Sequence, residues 1–242
     1  MNIIYTVTDS NYLPLTMGLV SSISNYEFAI DKIIIGALGL SPAEKTKLEK
    51  LDSRVSFIDL AEVTYSKRLH DDGWIQRTAQ KTYGLLSLLE AGNRVFMLDS
   101  DCLVMQQFVV DLRHVGSIGV CRRHNPALRK DMKLDYIASF FVGEGELACG
   151  FVRLWIELQQ KLIVSSYAPP YETPALCKAI RLWDPSTITE LDENVYSKQN
   201  KFETKPRIIH LKSNSTEDLS DILSCRLSAL GEFDRKIAGS MY

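Results

Sequence analysis

Four short apolar runs constrain this chain more than any other feature. They are Asn2–Thr8 (NIIYTVT), Lys32–Leu38 (KIIIGAL), Val55–Leu60 (VSFIDL) and Arg94–Leu98 (RVFML). Each is rich in β-branched residues or closely apolar, the pattern of a strand buried inside a domain. Segments of helical period separate them. Leu15, Leu19, Ile23 and Tyr26 recur on one helical face after a turn at Ser10-Asn11. Ser41-Pro42-Ala43-Glu44 is a capping box with proline at the first helical position. Ile75–Glu90 reads as a helix stopped by Gly92. Strands alternating with helices predict an α/β fold with a Rossmann-like, mixed but mostly parallel sheet flanked by helices. A length of 242 residues fits a single domain.

The second half is less regular. Tyr136–Val142 and Ala148–Leu154 read as strands, and Trp155–Val164 as a helix. Ala168-Pro169-Pro170 breaks the chain before a helix over Pro174–Leu182. Arg207–Leu211 is a short strand. Glu217–Ile237 reads as a helix with Leu219, Ile222, Leu223, Leu227 and Leu230 along one side.

Composition excludes several classes of function. A net charge of −2 gives no general attraction to nucleic acid or anionic membrane. The basic clusters Arg122-Arg123-His124 and Arg129-Lys130 read as solvated loop charges. No apolar run approaches the roughly 18 residues of a membrane span, and the N-terminus lacks the basic start and apolar stretch of a signal peptide. Cys102, Cys121, Cys149, Cys177 and Cys225 show no metal-ligand spacing. Scattered, reduced, mostly buried thiols point to a cytoplasmic protein.

The chemistry concentrates in Val95-Phe96-Met97-Leu98-Asp99-Ser100-Asp101. A buried strand ends in two carboxylates one residue apart, where uncompensated charge is costly. Hard oxygen ligands of this kind suit Mg²⁺ or Mn²⁺, which commonly bridge carboxylates to a diphosphate. The same pattern opens haloacid-dehalogenase-type phosphatases. That group wants threonine where Leu103 stands here, and a downstream acidic pair that this chain does not offer.

With these residues in view, the chain resembles glycosyltransferase family 8, which includes glycogenin and bacterial lipooligosaccharide galactosyltransferases. Three segments carry the resemblance. Tyr5-Thr6-Val7-Thr8-Asp9-Ser10-Asn11-Tyr12 with Leu19-Val20-Ser21-Ser22-Ile23 follows the family's opening strand and helix. Arg94–Val104 (RVFMLDSDCLV) is similar to its metal-site strand, and Ile208-Ile209-His210 to a late strand whose histidine completes the metal shell. The resemblance implies a GT-A fold, with residues 1–105 as a nucleotide-binding lobe and 106–242 as an acceptor-binding lobe with the C-terminal helix.

The resemblance also implies roles. Thr6, Thr8, Asp9 and Tyr12 would line a uridine pocket, Tyr12 by stacking; the local alternative is that Thr8-Asp9-Ser10 caps a helix. Asp99, Asp101 and His210 would hold Mn²⁺ (or Mg²⁺), with Ser100 near the ribose. Without the resemblance, His210 reads as a core histidine. Lys81 would place a cation near the donor, or else is a surface lysine. Lys212 would reach the diphosphate from the face that His210 shares. Glu172, in Tyr171-Glu172-Thr173-Pro174-Ala175-Leu176, would sit beside the donor sugar, or else caps a helix.

Three positions depart from the family. Ala148-Cys149-Gly150 stands in place of Asn-Ser-Gly, Thr173 in place of glutamine, and Ser213-Asn214-Ser215-Thr216 in place of Lys-Pro-Trp. They leave the donor sugar and stereochemistry open. The implied function is transfer of a hexose from a UDP-sugar to a hydroxyl of a glycan, lipid-linked or protein acceptor, with retention. An inverting enzyme would need a carboxylate base, for which Glu172 and Glu146 are the candidates. The alternative class is a non-catalytic nucleotide-sugar-binding module on the same fold. The apolar side of Glu217–Ile237 is expected to pack on the core or on a second copy in a homodimer.

Overall fold

The four apolar runs are strands, and they lie side by side. The computed structural model describes residues 1–60, 72–129, 132–165, 172–199 and 206–211. In chain order they form β1 (Asn2–Asp9), α1 (Leu13–Tyr26), β2 (Lys32–Leu38), α2 (Pro42–Glu49), β3 (Val55–Asp59), α3 (Asp72–Glu90), β4 (Arg94–Leu98) and β5 (Cys102–Val104). Then follow β6 (Ile118–Arg129), β7 (Met132–Gly143), α4 (Gly145–Val164), α5 (Glu172–Leu182), β8 (Ile188–Asp192), α6 (Glu193–Tyr196), β9 (Lys198–Gln199) and β10 (Ile208–His210). The main sheet has seven strands in the order β3-β2-β1-β4-β7-β6-β8. β1 to β4 run parallel, β7 runs against β4 and β6, and β8 is parallel to β6. A second sheet, β5-β10-β9, sits beyond the C-terminal end of β4.

Alternation along the central strands divides the core into two layers. Ile4, Ile33, Ile35, Phe96 and Leu98 pack with Leu19, Val20 and Ile23 of α1. Ile3, Tyr5, Ile34, Val95 and Met97 pack with Leu85 and Leu89 of α3 and with Phe151, Trp155 and Leu176 of α4 and α5. Both sheet faces are dry, which explains why these strands are apolar throughout. Phe96 is fully buried against Phe108, so Phe96→Ala should cost about 3–5 kcal/mol.

Local signals in the first half hold. Ser41 and Glu44 form both halves of the capping box. Gly92, at φ 76°, ends α3 in the left-handed region open to glycine. Gly84 serves a different need: a Cβ there would lie 2.0 Å from the Tyr5 hydroxyl. The bare backbone lets α3 settle onto the sheet, and Lys81, one turn earlier on the same face, comes down with it.

The second half corrects the expectations. Ala148–Leu154 is not a strand but the first turns of α4. The buried positions Ala148, Cys149, Val152, Trp155, Ile156, Gln159 and Leu162 have helical period, which a short window over Ala148–Leu154 hides. The basic run Arg122-Arg123-His124 is not a loop. It lies on β6, where Arg122 pairs with Glu190 at 2.6 Å and His124 with Asp192 at 2.7 Å. Partners from β8 compensate a strand that reads as polar. Arg129 ends β6, and Lys130 lies outside the described residues. Ala168-Pro169-Pro170 and the predicted helix Glu217–Ile237 also fall outside them. Cys102, Cys121, Cys149 and Cys177 are free and buried. Among the described residues no helix is long and apolar enough to cross a membrane.

Candidate active site

In a parallel sheet, ligands gather beyond the C-terminal strand ends. β1 and β4 run parallel with Tyr5 opposite Met97, so Asp9 and Asp99 emerge at the same edge. Below that edge the backbone of β4 is satisfied by its neighbours. At the edge the chain turns: Asp99 donates its N–H to the Ser139 carbonyl (3.0 Å), and Cys102 donates back to the Asp99 carbonyl (3.1 Å). Both carboxylates are thereby held at the mouth of the sheet, half-buried, with Ser100 between them.

His210 arrives from about a hundred residues further along the sequence through β10, which pairs antiparallel with β5 and sets His210 opposite Cys102. Leu211 then donates its N–H to the Asp101 carbonyl at 2.8 Å. His210 Nε2 lies 3.2 Å from Asp101 Oδ1 and 3.7 Å from Asp99 Oδ2. One ligand atom from each of the three residues lies within 4.8 Å of the others. The histidine is buried, yet it faces carboxylates rather than the core. Two carboxylate oxygens and an imidazole nitrogen, converging on one point, form a donor set that suits Mn²⁺ and also accommodates Mg²⁺. Burial works against the charge on Asp101, but His210 and Lys81 outweigh it and hold the carboxyl below its ordinary range.

The other oxygen of Asp99 has a different neighbour. Lys81 is 6% exposed, so it is no surface lysine. Its ammonium donates to Asp99 Oδ1 and to Glu172 Oε1 (2.7 Å), and lies 3.4 Å from the Ala138 carbonyl. Burial opposes the ammonium charge, and the two carboxylates more than restore it, so Lys81 stays protonated. Glu172 opens α5, and its carbonyl accepts from the Trp155 indole at 2.9 Å. Burial pushes its carboxyl up to about 7 against the pull of Lys81. Its Oε2 is buried with no hydrogen-bond partner among the described residues. An unpaired buried carboxylate oxygen is costly unless something else comes to meet it.

At the end of β1, Thr6 and Thr8 are buried, and Tyr12 is 37% exposed. Thr8 donates to the Asp9 carbonyl (3.1 Å), and the Thr16 hydroxyl lies 2.7 Å from it. Asp9 Oδ1 accepts from the backbone N–H of Asn11 and of Tyr12 (3.0 and 3.1 Å), which closes the turn ahead of α1; the helix itself is capped at Tyr12 without a side-chain bond, so the capping alternative does not hold. Thr6 Oγ1 has no partner among the described residues.

Two other candidates lie elsewhere. Glu146 follows Gly143, which pairs with Val95 at the opposite end of β4 from Asp99, so it is no base for this site. Ala148-Cys149-Gly150 stands at that same far end and is not the sugar-contacting segment. Lys212 lies outside the described residues. Sequence reasoning missed Ser139, whose carbonyl anchors Asp99, and Ala138, whose carbonyl faces Lys81. Backbone acceptors leave no mark in side-chain identity.

No family model and no curated protein sequence matches the chain. Solved structures do. It superposes on WbbM, a bifunctional glycosyltransferase, with a TM-score of 0.62 at 14% identity, covering 98% of this chain and 51% of that one. The chain thus spans about half the length of WbbM. It superposes on the galactosyltransferase LgtC, in complex with donor and acceptor sugar analogues, with a TM-score of 0.62 at 13% identity, covering 99% and 96% of the two chains. An active-site mutant of LgtC gives a TM-score of 0.57 at 12% identity over 92% and 95%. With the strand order above, these superpositions show that the chain has the GT-A fold of those glycosyltransferases.

Proposed function

We propose that the protein is a metal-dependent glycosyltransferase that moves a hexose from a UDP-sugar to a hydroxyl acceptor with retention. The observation that carries this reading is the convergence of Asp99, Asp101 and His210 at the C-terminal end of β4, in a fold that superposes on LgtC over nearly its whole length. Carboxylates outnumber cations in this corner, a state that a divalent cation relieves. Mn²⁺ or Mg²⁺ bound there would supply Lewis-acid charge for a departing diphosphate.

The remaining work falls to the chain. Tyr12, with Thr6, Thr8 and Asp9, forms the uridine end of the donor pocket, and Ser100 meets the ribose. Lys212 adds positive charge at the diphosphate. Lys81 keeps Asp99 and Glu172 apart and oriented, and Glu172 Oε2 accepts a hydrogen bond from a hydroxyl of the donor sugar. The acceptor hydroxyl attacks the anomeric carbon, and the departing phosphate oxygen takes its proton, so no separate protein base is required. The GT-A superposition argues against the phosphatase alternative.

A panel of UDP-sugars, assayed for UDP release with Mn²⁺ and with excess EDTA, tests the reading. Release that requires Mn²⁺ supports it. Tight UDP binding with no release from any sugar, acceptors included, would make the protein a binding module. Full turnover in EDTA would overturn the metal assignment.

A further inference from the structure

Asp99 directly follows a strand of one sheet and His210 ends a strand of the other, and their spacing depends on how those sheets are joined. β4 lies in the seven-stranded sheet and β10 in the three-stranded one. Among the described residues a closed ring of bonds runs through both. The Asp99 N–H donates to the Ser139 carbonyl on β7 at 3.0 Å. The Ser139 hydroxyl meets the Ser197 hydroxyl at 2.5 Å. Ser197 leads directly into β9, where Lys198 pairs with Ile209 and Gln199 with His210. On its other edge His210 pairs with Cys102, whose N–H donates to the Asp99 carbonyl at 3.1 Å and closes the ring.

Every link but one is backbone to backbone. The exception is the serine pair, the only link of the ring that depends on side-chain identity. Both serines are buried, at 1% and 0% exposure. Two hydroxyls facing each other in a dry interior satisfy one another and hold their segments at hydrogen-bond distance. Ser197 is otherwise the end of a short helical turn, its N–H donating to the Glu193 carbonyl at 3.0 Å. Tyr196 of the same turn stacks on Phe140 of β7, with ring centroids 5.8 Å apart, a non-directional contact that brings the turn to β7 but leaves its register there to the serine pair.

We infer that Ser139 and Ser197 are positioning residues that set the distance between the carboxylates and His210, and hence the affinity of the site for a divalent cation. The inference rests on the metal site proposed above. Groups that orient metal ligands without touching the ion typically change its affinity by about 10–100-fold when removed. Neither serine touches the ion or the donor; each acts through the backbone of a ligand.

The test is Mn²⁺ calorimetry and thermal melting on the full chain. Ser197→Ala and Ser139→Ala should each weaken Mn²⁺ binding by about tenfold, and the double variant by no more than either one, because a single link is lost. Ser24→Ala is the control. It removes a hydroxyl–carboxylate bond to Asp52 (2.6 Å) on the far side of α1, and should lower the melting temperature while leaving Mn²⁺ affinity unchanged. Serine variants that melt earlier but bind Mn²⁺ like the wild type would overturn the inference and leave the metal site standing. Additive losses in the double variant would also overturn it. A wild-type chain that takes up no Mn²⁺ would overturn the metal site and the inference together.

Discussion

The two oxygens of Asp99 face corners built in opposite ways. Oδ2 looks toward His210 and Asp101, a corner of candidate ligands with no lysine or arginine paired to it among the described residues. Oδ1 looks toward Lys81 and, through it, Glu172, a corner whose cation is part of the chain. A fixed ammonium can neutralise charge and orient a carboxylate, but it cannot expand its coordination to grip a diphosphate. An exchangeable ion can do so. Under the proposed function, the Lys81 corner would keep the site folded and aimed, while the His210 corner would hold the ion that does the electrostatic work of the reaction.

The sharpest way to break this contrast is Asp101→Ala. It removes a ligand from the ion corner alone, so turnover should fall by at least about a thousandfold and Mn²⁺ binding should vanish, with the melting temperature nearly unchanged. Retained activity with Mn²⁺ would show that the two corners are wrongly divided. Lys81→Met attacks the other corner. It leaves two carboxylates facing each other, partly screened at their open sides, and should cost roughly 2–4 kcal/mol of stability. Added Mn²⁺ should then raise the melting temperature of Lys81→Met more than that of the wild type, because the ion supplies the missing charge. Equal shifts would mean that the corners do not share Asp99 electrostatically.

A milder test asks whether the edge beside β1 belongs to the same site. Calorimetry in Mn²⁺ should show UDP binding at least about tenfold more tightly than GDP, the equivalent of about 1.4 kcal/mol. Tyr12→Ala should remove most of that preference by taking away the half-exposed ring. Equal affinities would place the base elsewhere.

An effect of similar size lies away from the site, in a buried carboxylate bonded by backbone N–H groups and in no ion pair among the described residues. Glu27, at the end of α1, accepts the backbone N–H groups of Phe108 and Val109, and its own carbonyl accepts from Arg54. Burial pushes its carboxyl up from 4.5 to about 7, opposed by those two N–H groups and by Arg207, and reinforced by Asp111. The fold therefore favours the protonated acid. Its contribution to stability is complete below about pH 4.5 and is lost as the pH rises through 7. Glu27→Gln should flatten that slope, making the variant more stable than the wild type at pH 8 by roughly 1–2 kcal/mol. Denaturant melts at pH 5 and pH 8 would show it. An unchanged slope would mean that Glu27 stays charged throughout.

How much could be read in advance differs between the halves of the chain for a physical reason. β1, β2 and β4 bury both faces, so their apolar runs are nearly continuous and end where the burial ends, while β3, at the sheet edge, is only partly buried. Ser41 with Glu44, and Gly92 after α3, are contacts within a few residues and leave local signatures. β8 lies at the sheet edge beside β6, and the charges on the two strands find their ion-pair partners across the pair. Arg122 finds Glu190 and His124 finds Asp192 across 68 residues, so neither strand announces itself alone. Ala148–Leu154 alternates over a window too short to separate a strand from a helix, and the packing of α4 against α3 and α5 decides it.

The site divides along the same line. The sequence by itself determined that a buried strand ends in Asp99 and Asp101, because covalent neighbours and the alternation of a strand suffice to put two carboxylates at its end. Tertiary structure alone decided that His210 faces them, that Lys81 is buried between Asp99 and a glutamate 91 residues further on, and that Ser139 meets Ser197. Those contacts are made by side chains far apart in the chain, whose distance is fixed by the order and register of strands. No local pattern of residues encodes a spacing that only the closed sheet creates.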